Sequence, residues 1–183
     1  NKERVFMKIL VLESSPHKNG SSNMLAEQFI KGAKEAGHEI TVRDVGHMQI
    51  NPCRACDACG LSNGCVQKDD MKQIEKDLLS TDMAVFVTPI YYYQMSAQLK
   101  LVIDRFYGIN TPLSAKHLKT ALITAAWDDN DDVMPYLNDH YLKLCKYMHF
   151  ENMGTVLGTG CGTPSMTKDT VHMSEAYNFG RSL

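Results

Sequence analysis

Lys8-Ile-Leu-Val-Leu-Glu13 runs directly into Ser14-Ser-Pro-His-Lys-Asn-Gly-Ser-Ser-Asn23, and this junction decides the fold. The first segment is short, apolar on both alternating faces and rich in β-prone residues. That pattern suits a central strand covered on both sides. The second segment is polar and contains a proline and a glycine. A helical period then begins near Ser22, with Leu25, Phe29 and Ala33 at four-residue spacing and Gly37 as a stop signal.

The same alternation recurs along the chain. Strands are predicted over 39–45, 83–88, 120–126 and 154–158, and helices over 70–79, 96–107, 132–148 and 167–178. Strands alternating with amphipathic helices give a three-layer α/β sandwich with a parallel sheet and helices on both faces. Five strand–helix units fit the smaller doubly wound order, 2-1-3-4-5, in which ligands bind beyond the carboxyl ends of strands 1 and 3. No repeat, low-complexity tract or linker divides the 183 residues, so residues 1–183 are expected to form a single domain. Residues 1–6 read as a leader or remnant ahead of Met7.

Both loops at that switch point carry candidate ligand residues. After strand 1, Ser15, Ser21, Ser22 and Asn23 could hydrogen-bond a phosphate at a helix N-terminus, with His17 or Lys18 adding positive charge. The same residue types also serve as ordinary caps and turn formers. Neither a G-x4-G-K-[ST] nor a G-x-G-x-x-G pattern occurs, so a phosphate here would belong to a mononucleotide. After strand 3 come Thr88-Pro-Ile-Tyr-Tyr-Tyr-Gln-Met-Ser96. Three consecutive tyrosines cannot all enter one core. They suit either a flat heteroaromatic ligand or packing on a neighbouring subunit. Ser96 reads as the cap of the next helix, with Leu99, Ile103 and Phe106 turned inward.

Cys53, Cys56, Cys59 and Cys65 lie within thirteen residues, spaced C-x2-C-x2-C-x5-C. Four soft thiolates on one loop suit an iron–sulfur cluster, with zinc or a metal-free loop as alternatives. Cys145 is expected in the core and Cys161 in a turn. The seven histidines show no shared metal spacing; His17 apart, each is expected at the surface or a helix end. Asp128, Asp129, Asp131 and Asp132 precede a helix and suit its dipole.

Composition narrows the classes further. A hydrophobic content of 44% and a net charge of −2 give no basis for nucleic-acid or anionic-membrane binding. No apolar run is long enough to span a bilayer and no signal-type segment opens the chain, so a cytoplasmic location with reduced cysteines is expected.

Residues 14–23, Thr88-Pro-Ile-Tyr-Tyr and Met95-Ser-Ala-Gln-Leu-Lys-x3-Asp-Arg105 together resemble the NAD(P)H-dependent FMN reductases of the flavodoxin-like superfamily. The cysteine run followed by Val66-Gln-Lys-Asp-Asp-Met71 is most similar to the iron–sulfur flavoprotein group within it. The resemblance implies a phosphate loop at Ser15, His17, Ser21, Ser22 and Asn23, and an isoalloxazine loop at Pro89, Ile90, Tyr91, Tyr92 and Tyr93. It also implies a third flavin edge near Trp127 and a [4Fe–4S] cluster on Cys53, Cys56, Cys59 and Cys65. His17 stands where many relatives carry Arg, which makes the charge facing the phosphate pH-dependent. The implied activity passes electrons between NAD(P)H or ferredoxin, FMN and the cluster, or a small-molecule acceptor, with no catalytic side chain required. A cluster-free FMN or quinone reductase and a pure electron carrier are the alternatives. The implied assembly is a homodimer or homotetramer with the flavin near the interface.

Overall fold

The computed structural model describes residues 6–183; the remainder of the segment read as a leader, residues 1–5, lies outside the described residues. Strand β1 (Lys8–Glu13) is covered on both sides, as its composition requires. Ile9 and Val11 face one core with Leu25, Phe29 and Ala33. Leu10 and Leu12 face the other with Ile74, Leu78 and Phe86. Each such side chain contributes about 1.5–3 kcal/mol on burial.

Helix α1 (Ser21–Glu35) follows, and its predicted stop is met in detail. His38 N–H bonds Ala33 O and Gly37 N–H bonds Lys34 O, with Gly37 at φ +100°, a Schellman closure. His38 lies at this helix end, one of its two expected placements, but is buried there, and its Nδ1 accepts the Met7 N–H at 3.2 Å. That bond holds the chain entering β1 to the chain leaving α1.

The remaining elements are β2 (Glu39–Asp44), α2 (Met71–Ser80), β3 (Met83–Tyr91), β4 (Gln94–Met95), α3 (Ala97–Arg105), α4 (Asn110–Ala115), β5 (Lys119–Ala125), α5 (Pro135–Met148), β6 (Glu151–Gly158), α6 (Pro164–Thr167) and α7 (Val171–Ser182). The parallel order is β2-β1-β3-β5-β6, the predicted doubly wound arrangement. One strand was not expected: β4 folds back antiparallel on the end of β3, pairing Ile90 with Met95 and Tyr91 with Gln94. The predicted helix over 96–107 is also divided. It ends at Arg105, tightens to a 3-10 turn over Phe106–Ile109 and resumes as α4. The turn presents the Gly108 carbonyl to Gly64 N–H at 2.9 Å, a bond to the cysteine loop that a continuous helix would have consumed internally.

Helices α1 and α7 cover one face, with Phe29 and Phe179 edge to face at 5.4 Å. Helices α2, α3, α4 and α5 cover the other, and Cys145 lies in that core as expected. Helix α5 begins three residues beyond the acidic run, so no acidic residue occupies its first turn. Asp128 instead accepts the Asn130 N–H at 2.9 Å in a local turn. Among the described residues no helix is long and apolar enough to cross a membrane.

Candidate functional site

The loop after β1 is drawn tight before α1 begins. Ser15 Oγ accepts the His17 N–H at 3.2 Å, Gly20 N–H bonds His17 O at 2.9 Å, and Asn23 Nδ2 donates to Lys18 O at 3.0 Å. A Cβ at Gly20 would lie 2.8 Å from Ser15 Oγ, so the turn closes only around glycine. Gly20 is the cap of α1 and offers no capping side chain. Ser21 Oγ, Ser22 Oγ and Asn23 Oδ1 are buried and have no partner among the described residues. Three orphaned polar atoms beside the unpaired amides of a helix start are costly in an empty site, at about 1–3 kcal/mol each. The two serine hydroxyls can donate to an anionic group bearing several oxygens, whereas Asn23 Oδ1 can only accept and does not serve such a group.

The wall formed by the end of β3 is tied to this loop through buried hydroxyls. Ser14 Oγ donates to Val87 O at 2.7 Å, and Ser96 Oγ lies 2.9 Å from Ser14 Oγ. Ser96 N–H bonds Thr88 Oγ1 at 2.9 Å, and Ser96 also caps α3 by accepting the Leu99 N–H, as its sequence position suggested. Burial, with Glu27 and Asp44 nearby, pushes the Glu13 carboxyl at the end of β1 up to about 7.

Between these walls lies a crevice of about 630 Å³, within the range of small-molecule sites. Ser15, His17, Ser21, Ser22, Pro89, Ile90, Tyr91 and Trp127 all line it. Asn23 does not line it and acts through the Lys18 carbonyl. Tyr92 and Tyr93 also lie outside it: they form the two-residue turn between β3 and β4, at φ +49° and +66°, and border a separate surface hollow. Tyr92 is 98% exposed, and Tyr93 meets Tyr136 edge to face at 5.5 Å. The β4 hairpin, invisible in the sequence pattern, is what carries them away.

The third wall contains residues that the sequence reading left as a turn. Cys161 is buried rather than loose, and with Gly162, Thr163 and Pro164 it lines the crevice. Pairing continues past the strand ends, with Ala126 N–H to Gly158 O at 2.8 Å and Cys161 N–H to Ala126 O at 2.7 Å. The Trp127 indole rests on Gly162, where a Cβ would come within 2.5 Å of the ring. The only sequence signal for this wall was a glycine-rich stretch after a β6 strand adjoining β5.

The four cysteines line one small cleft of about 20 Å³ that shares no lining residue with the crevice. Cys53 and Cys56 are exposed, Cys65 is half-buried and Cys59 is buried. Among the described residues no three His, Cys, Asp or Glu side chains are grouped so as to hold a metal ion. The loop does show features suited to thiolate sulfur. Ala55 N–H approaches Cys53 Sγ at 3.5 Å, and Ala55, Asp57, Gly60, Leu61 and Gly64 all adopt positive φ. Left-handed residues are an ingredient of the backbone nests that bind anions. Non-glycine residues adopt this conformation at about 1–2 kcal/mol each. The donor types suit a cluster, while the four sulfurs are not gathered into a metal-binding group among the described residues.

Beneath the loop, Arg105 is buried and paired with Asp69 at 2.7 Å. Burial would raise the Asp69 carboxyl, but hydrogen bonds from Arg105 and the Asn51 amide outweigh it and hold the group below its usual range. The loop begins at the end of β2, where Gly46 N–H bonds Glu13 O at 3.0 Å, so both sites occupy the carboxyl end of the sheet.

A doubly wound sheet with a phosphate-type loop at its switch point defines the flavodoxin-like class. The chain belongs to the NADPH-dependent FMN reductase family, whose sequence profile matches residues 7–129. An iron–sulfur flavoprotein of Archaeoglobus fulgidus is 28% identical over 134 residues, covering 72% of this chain and 61% of that protein. Across the iron–sulfur flavoproteins matched, the chain spans between 48% and 61% of their length. The Bacillus subtilis protein YwqN, provisionally named an NAD(P)H-dependent FMN-containing oxidoreductase, is 26% identical over 93% of this chain and 94% of its own. The NAD(P)H:quinone oxidoreductase from Methanothermobacter marburgensis shares the fold, with a TM-score of 0.79 at 19% identity over 97% of this chain and 96% of its own.

Proposed function

We propose that this protein is an NAD(P)H-dependent oxidoreductase that holds FMN in the crevice and a [4Fe–4S] cluster on Cys53, Cys56, Cys59 and Cys65. The observation that carries the flavin reading is the pair of orphaned Ser21 and Ser22 hydroxyls at the start of α1, on residues that line a crevice with aromatic walls. Bound FMN supplies two-electron acceptance from a nicotinamide and single-electron release toward a cluster or acceptor. Ser21 and Ser22 would bind the phosphate with the first-turn amides, and Gly20 keeps that cradle open. Pro89, Ile90 and Tyr91 would bound the ring on one side and Trp127 on the other. Ser14, Thr88 and Ser96 hold the two walls in register. Hydride transfer needs no protein acid or base, so these residues work by placement and by excluding water. Residues 6–183 would act as one flavin domain, and the exposed Tyr92, Tyr93 and Tyr136 suit a second copy covering the ring.

Anaerobic purification followed by a visible spectrum with iron and sulfide analysis tests both cofactors. One flavin and four irons per chain, with the flavin bleached by NADPH or NADH, are expected. A colourless protein that binds no added FMN refutes the reading. A second reading, a cluster-free FMN or quinone reductase, is favoured by the near full-length match to YwqN. Flavin without iron in the same preparation selects it.

A further inference from the structure

Arg105, the last residue of the Lys-x3-Asp-Arg motif, touches nothing in the crevice. It is 1% exposed and forms part of the wall of the cysteine cleft. Its Nη1 donates to Asn51 O at 2.9 Å and to Asp69 Oδ2 at 2.7 Å, and its Nη2 donates to Asp69 Oδ1 at 3.1 Å. Asp69 Oδ2 also accepts the Asn51 N–H at 3.0 Å and Nδ2 at 3.2 Å. Asn51 precedes the first cysteine and Asp69 follows the last, so one guanidinium closes both ends of the loop. Its Nε is buried without a partner among the described residues.

We propose that Arg105 is a positioning residue for the cysteine site: it pins the loop closed and sets a buried guanidinium in the wall of the thiolate cleft. The inference rests on the cluster reading above. A [4Fe–4S] centre ligated by four thiolates carries net negative charge, and hydrogen bonds and charge around the sulfurs set its potential and retention. Asp69 is the one charged group bound directly to Arg105. Cys65 and Glu75 are the other charged or ionisable groups close enough to act on it. The planar fork matters as well as the charge, because a lysine cannot reach Asn51 and both Asp69 oxygens together.

Two variants separate these roles. Arg105→Lys keeps the charge but loses the fork. Arg105→Gln combined with Asp69→Asn removes both charges and leaves no buried carboxylate unpaired. Each is reconstituted anaerobically with iron and sulfide. Cluster content, the reduction midpoint followed by visible spectrum, and the rate of cluster loss in air are then measured, with the FMN dissociation constant as a folding control. FMN binding within twofold of wild type and cluster loss about 10–100-fold faster in both variants are expected. The midpoint should move to more negative potential only in the double variant, because the lost guanidinium lines the cleft whereas the lost carboxylate does not. Unchanged midpoint and loss rate in variants that carry a cluster overturn the inference alone. A wild type that takes up flavin but no iron or sulfide overturns the cluster reading, and with it the role of the charge. Tryptic cleavage at Arg54 and Lys68 in metal-free protein reads the loop-closing role independently. Faster cutting in the double variant supports it, and equal cutting refutes it.

Discussion

Replacing Ser22 by Ala should stabilise the empty protein and weaken its gain from FMN. Ser22 is 1% exposed, and its hydroxyl has no partner in the protein. In the flavin-free state that group is desolvated without return, at about 1–3 kcal/mol. Alanine also has the better helix propensity by a few tenths of a kcal/mol. The flavin-free variant should therefore be more stable by about 1–2 kcal/mol, raising the urea midpoint by roughly 0.5–1 M. With FMN present, the same hydroxyl would donate to a phosphate, a bond to a charged group worth about 1.5–3 kcal/mol. Affinity should fall about 10- to 100-fold. At FMN levels near 100 times the wild-type dissociation constant, binding stabilises wild type by about 2.7 kcal/mol and the variant by about 0.4–1.4. The variant's lead should thus shrink by about 1.3–2.3 kcal/mol on adding FMN, closing or reversing the ranking. Urea unfolding with and without FMN, together with flavin fluorescence titration, measures both effects. A destabilised flavin-free variant with an unchanged dissociation constant would show that the hydroxyl serves the fold and refute the phosphate cradle.

Three further outcomes follow from particular contacts. The Glu13 carboxyl ionises near 4.5 when unfolded and near 7 when folded. Between those values the folded state holds a proton that the unfolded state has released, so its stability penalty grows from pH 4.5 to 7 and is constant above. Full linkage would reach about 3 kcal/mol; because the group keeps some solvent contact, about 1–2 is expected. Glu13→Gln should match wild type at pH 4.5 and exceed it by that margin at pH 8; a parallel pair of stability–pH curves would contradict the assignment. Tyr92 adopts φ +49° at an exposed hairpin tip, so Tyr92→Asn should raise the stability of the flavin-free chain by about 0.5–1 kcal/mol. A lower melting temperature would show that the tyrosine makes a contact worth more than the strain. Gly162→Ala would drive a methyl into the Trp127 ring. Trp127 is the sole tryptophan, so its emission maximum and its quenching by FMN should both change; an unaltered spectrum would mean the indole does not rest on that glycine.

Much of the fold was legible because its signals are local. A strand apolar on both faces, a helix with a four-residue apolar period and a glycine at its end need no long-range information. The β1–α1 junction was readable for the same reason. What escaped depends on pairing across the chain. The β4 hairpin turns through Tyr92 and Tyr93 in left-handed backbone, which aromatic residues seldom adopt, so no turn signal marks it in the residue types. His38 looks like a surface residue beside Gly37, yet sheet formation places Met7 N–H against it.

By itself the sequence determined the layer order, the strand whose carboxyl end opens the site, and the identity of the polar side chains offered there. It also determined that four thiols share one loop. Tertiary structure decided which of those groups remain unpaired. Ser15 and Asn23 are consumed in holding the loop, while Ser21 and Ser22 are left for a ligand. It likewise added the Cys161–Pro164 wall through extended β5–β6 pairing, and it brought Arg105 beneath cysteines far away in sequence. The reason is physical: propensity and periodicity are set within a few residues. Whether a buried hydroxyl or guanidinium finds a partner depends on which distant backbone packs against it.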